Sequence, residues 1–130
     1  MTVRKEVSGV VLALSMAASL AASPALAAGN AQAGAALVKA RCQVCHTVTK
    51  GQKPTALAPS LSGVNGRKAG STDFAQYSPA LKASGITWTP AKLDAFLQAP
   101  AKLVPGTKMF MAVPNAAERA DVVAFLVSNK

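Results

Sequence analysis

Three residues with thiol and metal-binding chemistry stand together in one short segment of the 130-residue chain. Cys42 and Cys45 are its only cysteines, and His46, which follows directly, is its only histidine. Thiols one helical turn apart can each add to a vinyl group of the same haem, and the adjoining imidazole can bind the haem iron as an axial ligand. Because C-x-x-C-H is the attachment pattern of c-type haem, this segment predicts covalent haem binding.

Two other uses of a cysteine pair are less well supported. An exported chain could oxidise Cys42 and Cys45 to a disulfide, or use them for thiol exchange as thioredoxin-like proteins do. The sequence lacks, however, the alternating strand and helix patterns of the βαβ unit that accompanies such a redox pair. A structural zinc site would need further ligands, and no second C-x-x-C or H-x-x-x-H motif supplies them. Haem attachment remains the favoured interpretation.

A second axial ligand has to come from elsewhere in the chain. With both cysteines and the histidine assigned, methionine is the usual candidate, and only Met109 and Met111 lie beyond residue 28. The turn-rich segment 105–109 is suited to carrying a side chain to a metal. Positions 109 and 111 point the same way in an extended segment, so periodicity does not choose between them. Either methionine could also be an ordinary core residue.

Residues 1–28 have the pattern of a cleavable secretory signal peptide. A basic pair at 4–5 precedes an apolar stretch over 10–20 and small residues over 23–28. We expect cleavage after Ala27 or Ala28. The apolar stretch is shorter than the roughly 20 residues that span a bilayer, which disfavours the alternative of an uncleaved membrane anchor. Cleavage predicts a periplasmic protein without stable membrane insertion.

Residues 29–130 should form one small, basic domain. They contain 12 Lys or Arg and 4 Asp or Glu, which gives a net charge of +8. Such a charge suits an acidic protein partner, a nucleic acid or an anionic membrane, and export makes nucleic acid the weakest of the three. Aromatic residues are scarce in this segment, and small domains with little core material often need a cofactor to complete the interior.

The hydrophobic pattern of this domain predicts an all-α fold. Apolar residues recur at helical spacing, and Asn30, Thr89 and Asn115 stand where helix N-caps are expected. We expect helices over 31–45, 78–84, 90–98 and 116–128. The segment 47–70 is rich in glycine and proline and predicts a long loop. Long loops need something to wrap around, and a haem would serve.

Taken in order, the motifs of this domain resemble those of the class I cytochromes c, which include mitochondrial cytochrome c and its bacterial relatives. The resemblance covers nearly all of residues 29–130. It rests on Gly34 and Val38 ahead of 42–47, on segments 58–63 and 66–70, on Tyr77, and on segments 85–88, 105–109 and 120–126. It implies the small cytochrome c fold, in which three to five helices and long loops surround one covalently bound haem c.

The resemblance also implies a role for each matched residue. Met109 rather than Met111 would be the sixth ligand of the iron. The Pro59 carbonyl would accept a hydrogen bond from the His46 ring nitrogen distal to the iron, which orients the imidazole. Gly34 would allow the first and last helices to cross closely, against Val122 and Phe125. The remaining implied haem contacts are Arg67, Tyr77 and Trp88 at the propionates, and Thr107.

A haem with both axial positions filled leaves no open site for oxygen or a substrate. The expected function is therefore a periplasmic carrier that passes single electrons between redox proteins, and not an enzyme. Its expected partners have acidic docking surfaces (an oxidase, a cytochrome bc1-type complex or a dehydrogenase), and it is expected to be a monomer. Two alternatives remain: an electron-accepting subunit of a periplasmic dehydrogenase complex, and a haem protein with peroxidase or gas-binding activity once Met109 leaves the iron.

Overall fold

A computed structural model describes residues 28–130. Within this range lie five helices: α1 (Ala31–Arg41), α2 (Pro79–Ala83), α3 (Pro90–Gln98), α4 (Pro100–Leu103) and α5 (Ala116–Ser128). The same range contains no strand, only an isolated bridge between Lys68 and Thr87. The prediction of an all-α fold with long loops is confirmed. The predicted signal peptide lies, apart from its last residue, outside the described residues.

Side chains of the preceding residues define where four of the helices begin. The Asn30 side chain accepts hydrogen bonds from the amides of Gln32 (2.9 Å) and Ala33 (3.0 Å), which would otherwise lack partners in the first turn. The side chains of Ser78, Thr89 and Asn115 each accept one hydrogen bond of the same kind from an amide in the first turn of the helix that follows. The predicted caps at 30, 89 and 115 are therefore confirmed.

The first helix is shorter than the sequence predicts. It ends at Arg41 instead of continuing to residue 45. The amides of Cys42 and Gln43 both donate to the Val38 carbonyl, at 2.8 and 2.9 Å, so the backbone leaves the regular helical pattern there. The chain then continues through turns, which carry the cysteines and the histidine out of the helix.

A short helix, α4, was not predicted at all. The predicted helix over 90–98 stops before Pro100, because proline cannot donate to a helical hydrogen bond. The same property makes proline favourable at the first position of a new helix, and Pro100 occupies that position in α4.

Helices α1 and α5 cross at a glycine. A Cβ atom built on Gly34 would overlap the carbonyl oxygen of Asp121 and lie 2.9 Å from the Cβ of Phe125. The close crossing predicted at Gly34 is present, with the Asp121 carbonyl rather than Val122 as the nearest group. The Asn30 amide donates to the Asp121 carboxylate at 2.7 Å and fixes the start of α1 against α5.

The core lies where α1, α3 and α5 meet the loops. Val38 of α1 and Val122 of α5 are almost fully buried, and α3 contributes Leu93, Phe96 and Leu97. These apolar faces and the long loops enclose one large cavity. None of the helices in residues 28–130 has the length and hydrophobicity of a transmembrane span.

Candidate functional site

The cavity has a volume of about 470 Å³, within the range of small-molecule and cofactor sites. Apolar side chains form most of its wall: Leu61, Val64, Phe74, Leu81, Leu93, Phe96, Leu97, Val113, Val122 and Leu126. Every residue that the sequence assigns to the site also lines it: Cys42, Cys45, His46, Pro59, Arg67, Tyr77, Trp88, Thr107 and Met109. Residues from distant parts of the chain are thus brought to one site.

Turns and one threonine position the two cysteines. The amides of Cys45 and His46 both donate to the Cys42 carbonyl, at 3.0 and 2.9 Å. The Thr55 hydroxyl donates to the Cys45 carbonyl at 2.5 Å and holds this turn against the following loop. Both thiols are free. Burial raises the pKa of the Cys42 thiol and outweighs the opposing effect of Arg41, so this cysteine is protonated at neutral pH.

His46 is arranged as a neutral imidazole with one nitrogen available. Its Nδ1 lies 2.7 Å from the Pro59 carbonyl oxygen. Since a carbonyl only accepts, Nδ1 carries the proton and Nε2 keeps its lone pair. Burial lowers the pKa of His46, an effect that the bond to Pro59 partly offsets and the charge of Arg67 reinforces. A neutral, oriented imidazole of this kind is a suitable metal ligand.

Met109 lies in a loop that its own neighbours stabilise. The buried Thr107 donates its amide to the Val104 carbonyl (3.0 Å), and its hydroxyl accepts from the Met109 amide (3.3 Å). Gly106, with φ of +90°, supplies the left-handed conformation that the turn requires. Met109 is partly buried and packs against the core, whereas Met111 is 47% exposed. Both methionines line the cavity.

Arg67 and Tyr77 form a polar edge on the otherwise apolar wall. The Arg67 guanidinium donates to the carbonyls of Ser60 (2.8 Å) and Ser62 (3.0 Å). The hydroxyl of Tyr77 is hydrogen-bonded to that of Thr72 at 2.6 Å. Burial lowers the pKa of Arg67, although nearby Tyr77 opposes the shift, and the side chain remains a cation at neutral pH. An anionic group of a bound molecule would be favoured at this edge.

The mouth of the cavity is apolar and basic. Three exposed side chains, which we call the mouth residues, surround it: Leu57, Phe110 and Met111. Phe110 is 90% exposed, an unusual placement for a large aromatic side chain. Arg41 and Lys108 also line the cavity, and among residues 28–130 no carboxylate does.

Sequence reasoning missed two residues near the site, Asp94 and Arg119. Arg119 on α5 is buried, and its Nε donates to an oxygen of Asp94 on α3 at 2.7 Å. The available signal was its position in the helix: residue 119 falls on the same face as the buried Val122, Val123 and Leu126. A charged residue at an apolar helix position has to find a partner.

The donor set fits a haem better than a bare metal ion. Within the described part of the chain, no group of three or more His, Cys, Asp or Glu is placed to hold a metal ion by itself. Two free thiols, a neutral imidazole and a thioether instead line one apolar cavity with a polar, cationic edge. This set matches thioether attachment, axial ligation and the two carboxylates of a haem.

Comparison with known proteins gives the same result. A family profile described as cytochrome c matches residues 31–130. The chain is 46% identical over 101 residues to the cytochrome c of Tetrahymena pyriformis, covering 77% of this chain and 89% of that protein. It is 42% identical over 120 residues to the cytochrome c2 of Rhodomicrobium vannielii, covering 92% and 94%.

A solved structure is similar in both fold and sequence. Cytochrome cH from Methylobacterium extorquens superimposes with a TM-score of 0.70 at 40% sequence identity, covering 77% of this chain and 99% of that one. The range 31–130 matched by the family profile contains every residue that lines the cavity. The chain belongs to the cytochrome c family, as a class I c-type cytochrome.

Proposed function

We propose that this chain is a periplasmic carrier whose single haem c is attached through Cys42 and Cys45 and ligated by His46 and Met109. Family membership establishes the general part: the chain is a haem electron carrier with one covalent haem c, and not an enzyme. The specific assignment is supported by one observation above all. Two thiols, an imidazole and a thioether, from segments far apart in sequence, line the same cavity.

The choice of Met109 over Met111 is supported by how each side chain is held. Met109 packs against the core, and its amide is bonded to the buried Thr107 hydroxyl. Met111 is close to half exposed at the mouth. An axial ligand that stays on the iron in both oxidation states needs a fixed position, because rearrangement slows electron transfer. Met109 meets this requirement better.

The chain's other residues orient the ligands and exclude water. When bound, the haem supplies one-electron iron chemistry, and His/Met ligation favours the ferrous state relative to bis-His ligation. The Pro59 carbonyl fixes the orientation of the His46 ring through Nδ1. Arg67 and Tyr77 provide a polar edge that would suit the propionates, and the apolar wall would exclude water from a bound haem. A closed site of this kind suits outer-sphere electron transfer.

The mouth is the proposed docking surface for redox partners. Leu57, Phe110 and Met111 provide apolar contact area where the cavity opens. Three of the four acidic residues in 29–130 are engaged within the protein: Asp94 with Arg119, Glu118 with Arg41, and Asp121 with the Asn30 amide. The domain 29–130 nevertheless keeps a net charge of +8, and Lys108 lines the cavity, which favours acidic surfaces such as those of an oxidase, a cytochrome bc1-type complex or a dehydrogenase.

Periplasmic location depends on the N-terminal segment, which we propose is a signal peptide over 1–28 and is removed on export. The remaining domain, 29–130, would be a soluble monomer. Cell fractionation followed by intact-mass measurement tests this part. We expect the periplasmic fraction to contain a chain that begins at Ala28 or Gly29 and carries the added mass of one haem. A membrane-bound chain that retains residues 1–28 would contradict it.

Redox titration tests the carrier function. We expect a single reversible one-electron transition and no change in axial ligation between the ferric and ferrous forms. The reduced protein should deliver its electron to a partner oxidase in a second-order reaction, without binding carbon monoxide itself. A ferrous protein that binds carbon monoxide readily at neutral pH would instead support the gas-binding alternative.

A further inference from the structure

The loop that carries Met109 is anchored to the fold at both ends. Upstream, the Thr107 amide donates to the Val104 carbonyl at 3.0 Å. Downstream, the Val113 amide donates to the Leu97 carbonyl of α3 at 2.7 Å. Between these two bonds the Met109 amide donates to the Thr107 hydroxyl (3.3 Å) and Lys108 Nζ donates to the Gln76 carbonyl (3.2 Å), whereas Phe110 and Met111 are exposed. On its downstream side Met109 is thus followed by exposed residues up to the anchor at 113–114, so its position depends on how well that anchor is held.

One buried guanidinium holds this downstream anchor. Arg119 Nη1 donates to the carbonyls of Val113 and Pro114, both at 3.0 Å, and its Nε donates to Asp94 at 2.7 Å. The Arg119 side chain is only 8% exposed, and that of Asp94 is 23% exposed. We call Asp94 and Arg119 the clamp, because the pair joins α3, α5 and the end of the Met109 loop.

The geometry makes loop opening unfavourable. If the segment 109–114 moved away, Arg119 would lose two of its three acceptors while still buried, and a buried charge without partners is costly. Asp94 contributes by accepting from Nε and so fixing the guanidinium plane with Nη1 pointing at the two carbonyls. The clamp thus opposes the particular motion that would take Met109 away from the cavity.

A second ion pair on the same helix provides a matched comparison. Arg41 and Glu118 also approach to 2.7 Å, but their side chains are 43% and 37% exposed. That pair joins α1 to α5, and both of its hydrogen bonds run between Arg41 and Glu118 rather than to 109–114. Exposed pairs contribute little to stability. Its loss should leave the Met109 loop unaffected.

We infer that Asp94 and Arg119 are positioning residues that hold the Met109 loop closed and thereby set how readily an external ligand displaces Met109. The inference rests on the proposed ligation of the iron by Met109. It assigns to the pair an effect on ligand exchange at the iron, in addition to any contribution to the stability of the fold.

Imidazole binding to the ferric holoprotein measures loop opening directly. Imidazole can reach the iron only when Met109 has left it, so its apparent affinity reports the population of the open state. The titration is done without denaturant in wild-type protein, Asp94→Asn and the control Glu118→Gln, with urea unfolding measured in parallel. Asp94→Asn is preferred to removal of Arg119, because asparagine has the same shape and still accepts a hydrogen bond.

We expect Asp94→Asn to raise the apparent imidazole affinity roughly tenfold or more, since a hydrogen bond to a charged group is weakened. Glu118→Gln should change it by less than about twofold. Arg119→Lys should behave like Asp94→Asn. The single ammonium group of lysine cannot bond to the carboxylate and to both carbonyls at once, as the planar guanidinium of arginine does. The urea midpoint of each variant shows whether its imidazole affinity changes independently of its global stability.

Equal imidazole affinities in Asp94→Asn and Glu118→Gln would overturn the inference, even if Asp94→Asn unfolds at lower urea concentration. That result would leave the clamp a structural contact only. A failure of the proposed ligation by Met109 would be seen in the wild-type protein instead. A wild-type ferric protein without the weak near-infrared band of iron–thioether coordination would refute Met109 as a ligand, whatever the variants do.

Discussion

Replacing Gly34 by alanine tests the packing that brings α1 to α5. The added Cβ would overlap the Asp121 carbonyl oxygen and lie 2.6 Å from the carbonyl carbon and 2.9 Å from the Phe125 Cβ. Two of these three neighbours are backbone atoms of α5, which cannot move aside as a flexible side chain could. The helices would have to separate, and α1 leads directly into the cysteines of the site.

Two opposing effects determine the size of the change. Alanine in a helix is favoured over glycine by about 1 kcal/mol. Overpacking a close contact costs typically about 1–3 kcal/mol, and backbone neighbours place this contact at the upper end. The net loss in free energy of unfolding should then be about 2 kcal/mol. For a domain of this size that corresponds to a fall in Tm of roughly 8–16 °C.

Urea unfolding of the ferric holoprotein, followed by far-UV circular dichroism, provides the measurement. Ala36→Gly is the matched control, because Ala36 is exposed on the same helix and its replacement changes helix propensity alone. We expect it to lose about 1 kcal/mol. If Gly34→Ala proved as stable as the wild type or more so, the reasoning would be refuted, since propensity would then outweigh any steric cost.

The site and its mouth give further expectations. Met109→Ala should abolish the near-infrared band of iron–thioether coordination, whereas Met111→Ala should retain it; the opposite result would reverse the ligand assignment. Phe110→Ala should slow the second-order reaction with a partner oxidase roughly fivefold or more while stability changes by at most about 0.5 kcal/mol. Val44→Ala, an exposed apolar control that does not line the cavity, should leave that rate unchanged. The same rate should fall as ionic strength rises from about 0.01 to 0.15 M, because the Debye length shortens from about 30 to 8 Å; a flat salt profile would argue against docking by charge.

Local chemistry made much of this molecule predictable. Cys42, Cys45 and His46 lie within five consecutive positions and are the only cysteines and histidine of the chain, so a shared role could be inferred without any knowledge of the fold. The caps at Asn30 and Thr89 were equally accessible, since each side chain bonds to amides two or three positions away. Interactions of this range depend on sequence order alone.

Interactions between distant segments could not be derived in this way. Asp94 and Arg119 are 25 positions apart, and the sequence around either residue does not indicate that the two form a pair. The choice between Met109 and Met111 was left open by periodicity and came only from the family resemblance. Burial and the Thr107 bond now support the same choice on physical grounds. The end of α1 at Arg41 likewise depended on a backbone rearrangement that helix propensity does not encode.

Covalent attachment of haem at Cys42 and Cys45 is the central claim, and it can be tested by extraction and peptide mapping. The native protein is denatured and treated with acidified butanone, and a proteolytic digest is then analysed by mass spectrometry. We predict that the pigment stays with the polypeptide and that the peptide spanning residues 42–46 carries the mass of one haem. Extraction of the haem into butanone, together with a 42–46 peptide that has two free thiols or a disulfide, would contradict the account.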